Sequence, residues 1–434
     1  MKKKTILTSI LFSTLCLFYS CEKIEFPHPP KDPVSSKSTI ALDWYKLQLR
    51  ILLERNSAFN GIYFGYIGVA LYEAVRYENK KSVSFSSKLY MMPAMPAIDK
   101  KQDYNWEVSA NAALAAMVRS YYTGLTPANN FSIDSLEKLY NDKLMAKAGA
   151  ATFARSQAYG KSIAKAVYDW SLTDLFNGSN AGYVPPVFTG AWVPTPPAFA
   201  NGINPYLSAA RTFLSANINA DAATFPYAYS EFANSDYFKM VSEVYTVSQN
   251  LSTEQKNIAL FWVDQGNGIA YTPPGHDMNI ILQCIEVTDA NLFTAAEALA
   301  KGGIGERDAT IVCFKAKYKY NVTRPVTYIQ KVIDPKWLPF IVTPPHPEYP
   351  AAHAFVSGGA LRAAEHVLGK VKFTDHTYDF RGWTPRVYNS MFKAAEEAGI
   401  SRLYGGIHYR ISIETGLSLA EELGDRVGNL KMTD

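Results

Sequence analysis

Cysteine is scarce in this chain of 434 residues, with four in all. Cys16 and Cys21 sit near the N-terminus, which leaves Cys284 and Cys313 in apolar surroundings further on. Two thiols make no disulfide framework, so buried free cysteine is expected for this pair. Charge is modest too: 19% of residues are charged, for a formal net charge of +4. Lys2, Lys3 and Lys4 carry most of that excess, and without them roughly +1 remains. No global basic field recommends nucleic acid as a partner, and any affinity for anions has to be local. Strand-like alternation is rare, and no repeat of fixed period is present. No segment after residue 21 approaches the ~18 uninterrupted apolar residues that would suggest a membrane span. A hydrophobic share of 48% excludes a disordered chain.

The first residues read as a targeting segment. Lys2 to Lys4 precede an apolar run over residues 6–19, too short for a comfortable span. The run ends Leu17-Phe18-Tyr19-Ser20-Cys21, and a small residue directly before cysteine resembles a bacterial lipoprotein lipobox. On that reading residues 1–20 are a signal peptide and Cys21 becomes the lipidated first residue. Residues 21–37, with Pro27, Pro29, Pro30 and Pro33, form a stiff tether. The protein is then expected in a bacterial cell envelope, at the outer membrane, held by its lipid alone. Residues 38–434 are expected as one helical domain, with an N-terminal half over 38–234 and a site-bearing half over 235–430.

Apolar residues at three and four spacings predict helix over 38–78, 106–122 and 133–172. Further helices are expected from about 235, then over 252–266, 291–301, 308–318, 354–370, 385–399 and 414–430. Between residues 177 and 206, Pro185, Pro186, Pro194, Pro196, Pro197 and Pro205 exclude a long regular element. The expected fold class is all-α, with helices packed in bundles and long Pro-rich loops.

Three stretches of the last third place basic groups where an oxyanion could sit. Lys317 is followed after six residues by Arg324-Pro325. A lysine offers a point charge and an arginine a planar fork for two oxygens. In Thr343-Pro344-Pro345-His346-Pro347-Glu348-Tyr349-Pro350-Ala351-Ala352-His353, prolines fix the backbone around two histidines. The small residues there open a helix, whose free N–H groups suit an anion. Ser401-Arg402 is followed after five residues by His408, just past Gly405-Gly406. Each stretch alone is as well explained by a solvated helix face or a backbone-satisfied loop histidine.

Taken in order, the three resemble the signature of the type 2 phosphatidic acid phosphatase and vanadium haloperoxidase superfamily. That pattern is Lys, six residues, Arg-Pro; then Pro-Ser-Gly-His; then Ser-Arg, five residues, His, three residues, Asp. Phe261-Trp262-Val263-Asp264, Thr272-Pro273-Pro274-Gly275-His276 and Lys317-Tyr318 are similar to its soluble haloperoxidase branch, with Pro274-Gly275-His276 read as structural. The resemblance implies that Lys317, Arg324, Arg402 and the Ala352 N–H hold vanadate or phosphate. It further implies that His408 bonds vanadium or phosphorus, that His353 is the acid–base residue, and that His346 stands near the halide. Ala351 and Ala352 depart from the pattern by losing a hydroxyl, although both backbone N–H groups remain. Ser412 stands where the pattern has the Asp that orients His408, and Glu414 or Asp375 are the candidates to replace it.

Three functions follow as expectations. A vanadate-loaded haloperoxidase would oxidise halide with hydrogen peroxide. A soluble acid phosphatase would cleave a phosphoester through a phosphohistidine, with no cofactor beyond bound phosphate. A non-catalytic surface lipoprotein would bind glycan or peptide. The residues leave the oligomeric state, the halide and the phosphoester open.

Overall fold

The computed structural model describes residues 38–55, 63–174, 180–222, 224–266 and 268–433. The expected signal peptide, the expected lipidation at Cys21 and the expected Pro-rich tether fall on residues 1–37, which lie outside the described residues. Among the described residues the chain forms 14 α-helices and one two-stranded antiparallel sheet. The helices begin where short polar side chains can accept from free N–H groups. Asn105 opens α3 (Trp106–Tyr121), Thr126 with Pro127 opens α4 (Pro127–Ala148), and Ser252 forms a reciprocal capping box at α8 (Thr253–Phe261).

The expected helix over 133–172 is two helices, α4 and α5 (Ala150–Ser171). Gly149 separates them at φ 77°, a left-handed backbone that ends the first helix. The opposite error falls on 291–301 and 308–318, which are one continuous helix, α10 (Leu292–Tyr320). Its glycines look like a break in the sequence and serve as contact points instead. A Cβ on Gly303 would lie 2.6 Å from the Gly65 nitrogen, and one on Gly305 would lie 2.4 Å from the Gly359 oxygen. Tertiary contact thus outweighs the ~1 kcal/mol helix cost of each glycine.

Helix α10 is buried along most of its length. It packs against α2 (Tyr63–Val75), α9 (Pro273–Val287), α12 (Ala352–Leu368) and α14 (Arg410–Gly428). Helix α13 (Met391–Tyr404) packs on α12 and α14. Neither α9 nor α11 (Pro325–Val332) was expected, because proline occupies the first turn of each, where its missing N–H costs nothing. The strands β1 (Phe373–Asp375) and β2 (Arg386–Tyr388) pair with Phe373 opposite Tyr388. No described helix is long and apolar enough to cross a membrane. Cys284 and Cys313 are buried and free.

Three apolar clusters meet around one place. Trp262, Phe355 and Val356 belong to the largest. Tyr349, Ala351, Ala354 and Tyr409 belong to the second, and Phe314 to the third. The three basic stretches of the sequence converge there.

Candidate functional site

Lys317 lies near the end of α10, and Asn321 in left-handed conformation stops that helix before Arg324. The two cations are therefore not on one helix; Arg324 is the residue that opens α11. Fully buried, Lys317 aims its Nζ at three carbonyls: Pro347 at 3.0 Å, Glu348 at 2.9 Å and Pro350 at 2.6 Å. All three ammonium donors are thereby used, and the Pro-rich stretch is pinned to α10. Arg324 donates from Nε to the His346 carbonyl at 2.9 Å and from Nη1 to the Ile407 carbonyl at 2.8 Å. The same Nη1 is 3.0 Å from His408 Nε2, and Nη2 is 3.0 Å from His346 Nδ1. Burial lowers both Arg324 and Arg402 to about 10, which leaves them charged at neutral pH.

His408 follows Gly406, whose φ of 76° turns the chain out of α13 towards α14. Its Nδ1 is 2.8 Å from Glu348 Oε1. The same carboxyl accepts from the Tyr409 N–H at 2.9 Å and from Ser412 Oγ at 2.6 Å. A carboxylate accepts only, so Nδ1 carries the proton and Nε2 presents its lone pair. Glu348 is the residue that sequence reasoning missed as the orienter of His408. Asp375 instead bonds His276, and Glu414 is exposed. Ser412 acts on Glu348 from behind, and its carbonyl also accepts from the Ala351 N–H at 3.0 Å. That bond corrects the expectation of two free N–H groups, since Ala351 spends its own on Ser412. Ala352 begins α12 with no side-chain cap and stands in the wall of the cavity.

Burial pulls the Lys317 ammonium down and pushes the Glu348 carboxyl up, each to about 7. Their partners show which forms the geometry is built for. Three carbonyls around Nζ need an ammonium, and three donors on Glu348 need a carboxylate. His346, His353 and His408 are held well below the ordinary histidine range, by burial first and by the neighbouring cations next. All three are neutral imidazoles at neutral pH.

His353, one residue inside α12, is the second imidazole of the site. Its Nε2 has no hydrogen-bond partner and faces Asp264 Oδ2 at 3.7 Å. Asp264 reaches the other way to His276 Nδ1 at 3.0 Å, while Asp375 takes His276 Nε2 at 2.9 Å. Two carboxylates outweigh burial and raise His276 to about 10, so it is an imidazolium clamped behind the site. Arg402 donates from Nε to Ser401 Oγ at 2.8 Å and from Nη2 to the Trp262 carbonyl.

These groups border a cavity of about 390 Å³. His346, Ala352, His353, Arg402 and His408 line it, whereas Lys317 and Arg324 stand behind the wall and contribute charge through it. The rest of the lining is mostly apolar, including Val263, Phe314, Ile341, Val356 and Ile407. Three neutral histidines and three buried cations around one cavity are the chemistry that suits an oxyanion.

Comparisons with known proteins identify the family and the fold. The family model described as the VCPO second helical-bundle domain matches residues 298–433, which contain all three basic stretches. The structure resembles that of a bacterial vanadium-dependent iodoperoxidase with TM-score 0.83 and 30% identity, over 93% of this chain and 98% of that one. The chain belongs to the vanadium haloperoxidase and type 2 phosphatidic acid phosphatase superfamily. A bacterial vanadium-dependent chloroperoxidase in its holo form shares the fold, with TM-score 0.61 and 15% identity, over 87% of this chain and 92% of that one. No curated protein sequence matches. Within this superfamily member, the helical fold is what brings residues as distant as Lys317 and His408 to one cavity.

Proposed function

We propose that this chain is a vanadium-dependent haloperoxidase-type enzyme, acting on hydrogen peroxide and a halide. The observation that carries the reading is the orientation of His408. Glu348 holds its Nδ1–H, the ring is neutral, and Nε2, with Arg324 Nη1 at 3.0 Å, turns its lone pair away from Glu348 at a cavity bordered by His353, Arg402 and the uncapped start of α12. Vanadate fits that donor set: one nitrogen to bond the metal, and cations with a helix N-terminus to neutralise its oxygens. When bound, vanadate would supply Lewis-acid activation of peroxide. Arg324 would release Nε2 to the oxyanion and add its charge from behind the wall, while Arg402 and the Ala352 N–H bind the oxygens. Lys317 would add charge from behind while holding the Pro347–Pro350 backbone. His353 is neutral and unpartnered at Nε2, so it can take a proton from bound peroxide and return it. His346, beside Arg324 and Phe314, is proposed to border the halide position. The mostly apolar lining would exclude bulk water from the oxidised halogen.

The test combines vanadate titration with rates of bromide and iodide oxidation, measured beside p-nitrophenyl phosphate hydrolysis. Vanadate-dependent halide oxidation supports the reading. Phosphate ester hydrolysis that vanadate inhibits, with no halide oxidation, would replace it with an acid phosphatase. Failure of both assays together with glycan binding would favour a non-catalytic surface protein.

Anchoring at Cys21 in the bacterial envelope is a separate proposal, carried by the lipobox-like sequence. Fatty-acid labelling that disappears in Cys21→Ser would support it, and unchanged labelling would refute it.

A further inference from the structure

Behind the cavity wall lies a second group of polar atoms that the oxyanion reading leaves unused. Six buried side-chain atoms there lack a hydrogen bond of good geometry: His353 Nε2, Asp264 Oδ2, Ser357 Oγ, both carboxyl oxygens of Asp277, and Glu306 Oε2. Buried polar atoms in native proteins are paired in roughly 90% of cases, so six together call for a reason. Asp277 comes from α9, Glu306 from α10, and His353 and Ser357 from α12, and these three helices pack on one another. Ser357 follows His353 by one helical turn, on the same face of α12. It stands close enough to Asp277 to favour the ionised carboxyl, and Asp277 in turn is close enough to Glu306 for their charges to repel. Glu306 and Thr310 then form part of the cavity wall, with Thr310 Oγ1 3.2 Å from Glu306 Oε1.

The surrounding charges do not neutralise this pair. His276, next to Asp277 on α9, is already clamped between Asp264 and Asp375. Arg307, next to Glu306 on α10, pairs with Asp174. From α12 come only the hydroxyl of Ser357 and the neutral ring of His353. Burial, as the first cause, raises Asp277 and Glu306 to about 8 each. Both are protonated at neutral pH.

We propose that Glu306 and Asp277 form a buried proton store at the cavity wall that supplies the proton each turnover consumes. The proposal rests on the haloperoxidase reading above. Oxidation of one halide consumes one hydrogen peroxide and one proton, and yields one hypohalous acid and one water. The halide gives two electrons to the O–O bond, which breaks as the O–halogen bond forms. Each turnover therefore draws a proton into a cavity whose lining is mostly apolar. A neutral carboxyl pair at its wall can deliver one, directly or through water, and refill between turnovers.

Two measurements test the store. Infrared spectroscopy of the vanadate-free protein at neutral pH should show the carbonyl stretch of protonated carboxylic acids. That band should weaken in Glu306→Gln and in Asp277→Asn, and fade in the wild type above a pH of about 8. Rates of halide oxidation should fall about tenfold in either variant with KM for halide unchanged. The deficit should shrink at lower pH or on adding a small carboxylic acid. Both variants are near-isosteric, and removing a buried acid should leave the fold at least as stable as the wild type, with a gain that grows as pH rises from about 4 to 8, which denaturation checks. Absence of the infrared band, or variants with the wild-type pH profile, would overturn the store alone. A wild type that binds vanadate and oxidises no halide would overturn the haloperoxidase reading, and the store with it.

Discussion

Replacing Glu348 by Gln isolates the feature on which the metal-binding reading depends. The carboxylate accepts from His408 Nδ1 at 2.8 Å, from Tyr409 N at 2.9 Å and from Ser412 Oγ at 2.6 Å. A glutamine oxygen at the Oε1 position would keep the first two bonds. Its amide would face Ser412, whose hydroxyl can rotate to accept. Geometry is thus largely preserved, and the charge is what disappears. A hydrogen bond to a charged acceptor is worth about 1.5–3 kcal/mol, against about 1 kcal/mol for a neutral one. The lost difference of about 0.5–2 kcal/mol acts on the basicity of Nε2 and corresponds to roughly 2- to 30-fold in vanadate affinity. That range overlaps the 10- to 100-fold typical of groups that orient a metal-bound histidine. Equilibrium dialysis or vanadium NMR would measure it, with Ser412→Ala as the comparison. Loss of Ser412 removes one bond to Oε2 and should cost about threefold to tenfold. Affinity in Glu348→Gln within twofold of the wild type would refute the assignment. So would a Ser412→Ala defect larger than that of Glu348→Gln. Alanine at 348 is a poorer probe, because two buried N–H donors would lose their acceptor at about 1–3 kcal/mol each and the site would lose its shape.

Three further outcomes are expected. Buried His346, His353 and His408 should cost stability as pH drops below about 6.5, because the unfolded chain then binds protons that they refuse. His276 works in the opposite sense: its folded value of about 10 adds stability that is complete below the ordinary 6.5 and is lost as pH rises towards 10. The raised carboxyls of Asp277, Glu306 and Glu348 act against the histidines between about pH 7 and 4.5, so the test is a difference: the urea midpoint of His353→Gln should gain on that of the wild type as pH falls below 6.5, and a constant difference would contradict the neutral assignment. Gly305→Ala should destabilise the fold by about 1–3 kcal/mol in chemical denaturation, since its Cβ would meet the Gly359 carbonyl at 2.4 Å where α10 crosses α12. Arg402→Lys should weaken vanadate binding about tenfold or more in calorimetry with little loss of stability. A lysine cannot hold Ser401 and the Trp262 carbonyl while also offering a donor to the cavity.

Much of the architecture was legible because it rests on local pattern. Apolar spacing located α3, α7 (Asp236–Gln249), α12 and most of α14, and the prolines between residues 177 and 206 exclude a regular element. Misreadings fell where a neighbour overrides a propensity. Gly302, Gly303 and Gly305 fall between the two expected helices and stand where α9, α2 and α12 approach α10. Gly149 escaped notice because its left-handed backbone leaves no periodic trace.

The order and spacing of Lys317, Arg324, His353, Arg402 and His408 were carried by the sequence alone, as were the helical class and the scarcity of permanent charge elsewhere. These follow from residue type and short-range spacing, which the chain states directly. Which acid serves His408 was decided only in three dimensions. Glu348 lies 60 residues from its imidazole, and the Lys317 grip on three carbonyls delivers it there. The same holds for the clamping of His276, the spending of the Ala351 N–H on Ser412, and the meeting of Glu306 with Asp277. Contacts between distant segments depend on how helices pack, and packing is a property of the whole core rather than of any stretch of sequence.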